Sequence, residues 1–161
     1  MTETEYNECV DRYADGLYRF IVKNLKHPED AKDIVQNSFE ILWTHRKELK
    51  ADKAKSYLFT TGYRNMIDHL RKSSRVSLTE EFPENLPAVR DQEPDLKAVL
   101  MAGLERLSTI QRSLVLLKDY EGYSYEEIGA ITGLNASQVR VYLHRARLKM
   151  KAYLVKMTHL T

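Results

Sequence analysis

An all-α protein, built as two small helical bundles joined by a linker, is predicted by three features of this 161-residue chain. Apolar residues recur at helical spacing, β-branched alternating runs are scarce, and one proline-rich acidic stretch breaks the periodicity in the middle. The predicted units are a first bundle over 1–73, an acidic linker over 74–94, and a second bundle over 95–161 that contains a helix-turn-helix. A hydrophobic content of 43% is enough for a real core.

The first bundle reads as three helices. From about Thr4 to Leu25, the residues Val10, Tyr13, Leu17, Phe20 and Ile21 share one face, and His27-Pro28 ends the run. Pro28 suits the first turn of the next helix, and Glu29 and Asp30 complement its dipole. That helix carries an apolar stripe of Ala31, Ile34, Val35, Phe39, Leu42 and Trp43 and is predicted to end between His45 and Lys50. A third helix, about Lys53 to Lys72, packs through Leu58, Phe59, Gly62, Tyr63, Met66, Ile67 and Leu70 and finishes in the basic run RKSSR. The stretch SLTEEFPENLPAVRDQEP that follows has three prolines, no sustained period and an acidic balance, as a solvated linker does.

Four helices are predicted beyond it. Pro94-Asp95 opens the first, with Leu96, Val99, Leu100, Leu104 and Leu107 inward. Ser108 to Gln111 is a capping box opening the second, which Gly122 ends. Ser124 to Glu127 is another capping box, so a short helix runs from Tyr125 to about Thr132. Gly133 then supplies a left-handed turn and Asn135 caps a longer helix from Ala136 to about Tyr153, with Gln138 at its third position.

Two helices joined by a tight glycine turn form a helix-turn-helix with a core of Ile128, Ile131, Leu134, Val139 and Leu143. Gly129 falls where the first helix passes close to the second, a position that takes only small residues. Val139, Leu143, Ala146 and Met150 make the buried stripe of the longer helix, leaving Ser137, Gln138, Arg140, Val141, His144, Arg145 and Arg147 on other faces. Such side chains suit base edges at the N-terminal end of a recognition helix and phosphates further along it.

The charge pattern agrees with a polyanion partner. The net charge is only +2, but residues 51–75 carry six Lys and Arg against two acids, and 128–161 carry six against none. Residues 76–95 carry one base and six acids, so two basic patches flank an acidic stretch. The five histidines have no metal-ligand spacing, and neither a glycine-rich phosphate loop nor a Ser-His-Asp grouping is visible, so no catalytic residue, metal or cofactor is predicted. The lone Cys9, the acidic N-terminus without an apolar signal core and the lack of any run of 18 apolar residues point to a soluble cytoplasmic protein without membrane insertion. Residues 1–72 lack the βαβ pattern of a receiver or ligand sensor, and a purely structural adaptor leaves the separate basic patches unexplained.

The order of these motifs resembles the extracytoplasmic-function (ECF) sigma factors, promoter-recognition subunits of bacterial RNA polymerase in the sigma-70 family. DAKDIVQNSFEILW (Asp30 to Trp43) resembles the helix that docks on the β′ clamp, and YLFTTGYRNMIDHLRK (Tyr57 to Lys72) resembles the promoter-melting helix. DYEGYSYEEIGAITGLNASQVRVYLHRAR (Asp119 to Arg147) is similar to the helix-turn-helix that reads the −35 element. Three departures stand out. Arg64 occupies a place where the family usually has Asn, Ser108 replaces the usual Pro, and Gly129 replaces the commoner Ala, at an expected cost of roughly 1 kcal/mol in helix stability.

The resemblance implies a division of sites. Ser137, Gln138, Arg140, Val141, His144, Arg145 and Arg147 are expected at the −35 element. Lys53, Lys55, Tyr57, Arg64, Asn65, Asp68, Arg71, Lys72 and Arg75 are expected at the −10 element, where aromatic stacking and basic side chains hold melted DNA. Asp33, Gln36, Asn37 and Glu40 are expected to meet the polymerase clamp. The partners it implies are core RNA polymerase, through the β′ clamp and the β flap, promoter DNA, and an anti-sigma factor. The linker is implied to run through polymerase channels otherwise used by RNA.

Overall fold

The computed structural model describes the backbone of residues 1–76 and 95–158 and the side chains of 1–73 and 95–158. The predicted linker from 77 to 94 therefore lies outside the described residues, as does the side chain of Arg75. Among the described residues seven α-helices follow in order: α1 (Glu3–Leu25), α2 (Pro28–His45), α3 (Ala54–Val76), α4 (Leu96–Glu105), α5 (Thr109–Val115), α6 (Tyr125–Thr132) and α7 (Ala136–Thr158). Among the described residues there is no strand, and no helix is long and apolar enough to cross a membrane.

Local capping chemistry sets most boundaries. Thr2 and Glu5 form a reciprocal capping box at the start of α1, and Lys26 closes that helix in the left-handed region at φ 61°. Pro28 fills the first position of α2, where a missing N–H costs nothing. Ser108 with Gln111 opens α5, and a π-helical turn (Leu116–Tyr120) extends it towards Gly122, which has a φ of 76°. Two helices run further than the sequence suggests. The α3 helix continues through the polar run RKSSR to Val76, three residues past the predicted end of the first unit, and α7 continues to Thr158.

α1, α2 and α3 pack on one another around Leu17, Phe20, Ile21, Ala31, Leu42, Leu58, Phe59 and Met66, all fully or almost fully buried. In the second half α7 packs on α4, α5 and α6 around Leu104, Leu107, Leu114, Leu117, Ile128, Val139, Leu143 and Ala146. Trp43 departs from its predicted place in the apolar stripe of α2. It is 38% exposed, with the Arg46 guanidinium 3.6 Å above its ring and the Tyr6 ring 4.8 Å away.

The two bundles are not separate. α6 lies against α3 and α5 against α1, and their buried residues merge into one continuous core. The rings of Phe20, Phe59 and Tyr123 form a chain across the boundary, with centroids 5.8 and 5.4 Å apart. Arg112 is the polar counterpart of that joint. Its guanidinium is buried and donates to the carbonyls of Leu104, Glu105 and Leu107 at the end of α4, and to that of Asn24 at the end of α1. The Asn24 carbonyl is an orphan of its own helix, because the residue four positions on is Pro28 and has no N–H. Burial lowers the pKa of Arg112, though a guanidinium stays charged at any ordinary pH.

Candidate nucleic-acid interface

The helix-turn-helix is fixed by two reciprocal caps and one left-handed glycine. The Ser124 hydroxyl accepts from the Glu127 N–H and the Glu127 carboxylate from the Ser124 N–H, both at 3.1 Å. Gly133 takes a φ of 82° and its N–H reaches the Gly129 carbonyl at 2.8 Å. Asn135 and Gln138 then cap α7 in the same reciprocal way, at 2.8 and 3.0 Å. At Gly129 a Cβ would stand 2.6 Å from the Leu134 backbone carbonyl oxygen, so the turn closes on this residue more tightly than even an alanine permits.

α7 buries Val139, Leu143, Ala146, Met150 and Tyr153 and leaves Ser137, Gln138, Arg140, Val141, His144, Arg145 and Arg147 exposed. Helical spacing places Ser137, Arg140, Val141 and His144 on one outward stripe, flanked by Gln138 and Arg145. Two of the seven are partly occupied. Gln138 gives its amide oxygen to the cap and keeps its NH2 as a donor. Arg147 is drawn sideways to Asp119, with Nε and Nη2 donating to the two carboxylate oxygens, and that bond raises its pKa. Asp119 is 28 residues away in the chain, so the acid-free run of 128–161 concealed it. The Arg140 guanidinium sits 5.2 Å from the centre of the Tyr125 ring, which biases its direction without using its donors.

The nine residues assigned to the second basic surface do not form one patch. Lys53, the residue just before α3, and Lys72, near the other end of that helix, lie about 28 Å apart at 1.5 Å per residue. At the near end Lys53 is exposed, Tyr57 is half-buried with its ring 6.3 Å from that of His45, and the Lys55 ammonium lies 4.7 Å from the Tyr123 ring. At the far end Arg64, Asp68, Arg71 and Lys72 are exposed, and Asn65 donates to the Asn37 side-chain oxygen of α2 at 2.9 Å. His69 approaches Asp30 at 3.3 Å beside them. A polar cavity of about 320 Å³ lies here, lined by Asp33 and Asn37 from α2 and by Asn65, Asp68 and Lys72 from α3.

The four residues of α2 assigned to the clamp are all exposed, but they divide between two sides of the helix. Asp33 and Asn37 border the polar cavity. Gln36 and Glu40, hydrogen-bonded to each other at 3.3 Å, edge an apolar cleft of about 560 Å³ between α1 and α2 that is floored by Tyr6, Val10, Val35 and Phe39.

One group was missed by sequence reasoning. Between α2 and α3 lie two 3₁₀ turns (Arg46–Glu48 and Ala51–Lys53); Arg46 stacks on the exposed Trp43, and Lys47 and Lys50 are exposed in the same segment. The basic run RKELKADK was the available signal, hidden because Trp43 reads as the last residue of an apolar stripe.

Comparison with known proteins shows the family of both halves. Residues 9–76 match the sigma-70 region 2 family, and residues 97–150 match the family described as sigma-70, region 4. The chain is 34% identical to the RNA polymerase sigma-E factor of Streptomyces coelicolor, over 94% of this chain and 86% of that protein. It is 30% identical to the ECF RNA polymerase sigma factor SigE of Mycolicibacterium smegmatis over 94% of this chain, and it spans 62% of that protein's length. Among solved structures, the sigma factor RpoE in complex with the anti-sigma factor NepR from Bartonella quintana superposes with a TM-score of 0.75 at 21% identity, covering 94% of this chain and 97% of that one. CnrH, solved in complex with the cytosolic domain of CnrY, superposes with a TM-score of 0.69 at 23% identity, covering 96% and 90%. At such identity these two structures establish the fold.

Proposed function

Since this chain belongs to the sigma-70 family, as an ECF sigma factor, we propose that its two exposed basic surfaces read the two elements of a promoter while α2 holds the polymerase. It is a promoter-specificity subunit and not an enzyme. It binds core RNA polymerase and directs initiation by supplying binding energy instead of covalent chemistry. An anti-sigma factor is its regulatory partner, in keeping with the RpoE–NepR pairing of its structural neighbour. Its place of action is the cytoplasm, where polymerase and chromosome are.

The observation that carries the reading is the outward stripe of α7. Ser137, Arg140, Val141 and His144 stand at the N-terminal end of a helix held by a tight turn, where a recognition helix meets base edges. Arg145 is assigned to phosphate, and Arg147, already paired with Asp119, orients the helix more than it contacts DNA. Melted DNA is assigned to the near end of α3 and the segment before it, where Trp43, Arg46, Lys47, Lys50, Lys53 and Tyr57 bring stacking surfaces and positive charge together. Arg64, Asn65, Asp68, Arg71, Lys72 and Arg75 follow along the same helix. The clamp is assigned to Asp33, Gln36, Asn37 and Glu40, with the apolar cleft beside the last pair adding buried area.

Arg140→Ala tests the assignment of the −35 surface. Binding to a promoter carrying the matched upstream element is expected to fall about tenfold, in line with the loss of one good base contact, while binding to DNA scrambled at that element changes little. An equal fall on both DNAs would reduce Arg140 to a phosphate contact.

A further inference from the structure

We propose that Tyr125, in the first helix of the helix-turn-helix, is a positioning residue for reading the upstream element: its ring holds the Arg140 guanidinium in place and leaves all of its donors free for DNA. This rests on the assignment of Arg140 to a base edge above. No hydrogen bond or ion pair to a described residue engages Arg140, and the centre of the Tyr125 ring lies 5.2 Å from its guanidinium. A ring face attracts a cation without accepting its N–H groups, so direction is imposed and the donors are spared. Arg147 on the same helix is the contrast, since its Nε and Nη2 both go to the Asp119 carboxylate.

The ring is itself well fixed. Tyr125 is the first residue of α6, directly after the Ser124 cap, and it is half-buried against the core. The Lys118 ammonium lies 4.7 Å from the ring centre, so two cations share one ring. Lys118 and Asp119 are neighbours in the π-helical turn Leu116–Tyr120, one reaching Tyr125 and the other Arg147. Arg147 stands seven residues beyond Arg140, two turns or about 10.5 Å along the same side of α7. The bond with Asp119 is the largest influence favouring the charged form of Arg147, and Tyr125 adds a smaller one. Tyr125 thus meets the recognition helix at two levels, and the π-helical turn braces both.

The consequence is one of discrimination. A free arginine side chain loses rotamer freedom when it docks on a base, and one already held loses less. Without the ring, the DNA itself must order Arg140. Affinity for the matched element then falls, while the phosphate contacts made by other residues are unchanged.

The test reconstitutes holoenzyme from core RNA polymerase and the full chain. Binding is measured to two duplexes, one carrying the upstream element that the parent holoenzyme selects and one scrambled at that element. Tyr125→Leu keeps an apolar side chain without a ring, and is expected to lower matched affinity about fivefold and scrambled affinity by less than about twofold. Tyr125→Phe keeps the ring and is expected to bring matched affinity back to within about twofold of the parent. In an Arg140→Ala background, Tyr125→Leu is expected to add no further loss, because no guanidinium remains to be aimed. In the free chain, the Arg140 Nε–H order parameter from NMR relaxation is expected to fall below about 0.6 in the leucine variant and to hold in the phenylalanine variant. An equal loss on both duplexes, a phenylalanine variant as weak as the leucine one, or an undiminished loss on top of Arg140→Ala would overturn the proposal and leave Tyr125 a direct DNA contact or a packing residue. If Arg140→Ala itself does not distinguish the two duplexes, the base-edge assignment fails, and the order parameter still decides whether the ring holds the arginine.

Discussion

Arg112→Met is expected to lower the unfolding free energy by about 3 kcal/mol, and the melting temperature by roughly 10 °C for a chain of this size. The guanidinium is 7% exposed, and its hydrogen-bond partners among the described residues are four backbone carbonyls at 2.8 to 3.5 Å. A methionine keeps much of the volume but donates nothing. It leaves the last carbonyls of α4 and the proline-orphaned carbonyl of Asn24 unsatisfied in the interior. Relief from burying a charge offsets part of this, which keeps the loss well below the sum of four charged hydrogen bonds. Arg112→Lys is expected to recover only a minority of it, because a point ammonium cannot span the same fork. Urea denaturation followed by circular dichroism checks the series. An unchanged midpoint in the methionine variant would mean that the guanidinium's desolvation cancels its bonds.

Gly129→Ala is expected to destabilise the second bundle by about 2 kcal/mol, although alanine is the better helix former by roughly 1 kcal/mol. The structure reverses the sign that helix propensity alone suggests. The added methyl would meet the Leu134 carbonyl oxygen at 2.6 Å, and that atom belongs to the backbone of the turn itself. Relief requires moving the turn between Gly133 and Asn135, which sets the angle of α7. Thermal unfolding is therefore expected to fall together with affinity for the upstream element. A variant more stable than the parent would show that the turn yields easily and that this glycine is a plain helix defect.

What was legible in the sequence lies within about four residues along the chain. The capping boxes at Ser108 and Ser124, the Asn135–Gln138 cap, the left-handed Gly133 and the buried stripes of α2, α3 and α7 are all patterns of that reach, and the structure contains each of them. The helix ends were less legible, since RKSSR at the end of α3 has no apolar period to mark it and the preceding turns carry the helix on to Val76. The pairs that shape the candidate surfaces span longer separations. Asp119 with Arg147, and Asn37 with Asn65, are each 28 residues apart, and Arg112 with Asn24 is 88. No periodicity encodes such partners, so the sequence gives neither the contact between the two bundles nor the pairing of Arg147 with Asp119. Trp43 failed for a related reason. Its spacing is that of a core residue, and its exposure depends on where α2 ends and the Arg46 segment turns away.

Initiation by a reconstituted enzyme tests the central claim most directly. Core RNA polymerase of the source bacterium, mixed with the purified chain, is used to select transcribed templates from a randomised promoter library. The expected result is one pair of elements at fixed spacing, with transcripts starting at a fixed distance downstream, and loss of transcription when either element is scrambled. Failure of the chain to associate with core polymerase, or transcription that selects no upstream sequence and does not change when the chain is omitted, would contradict it.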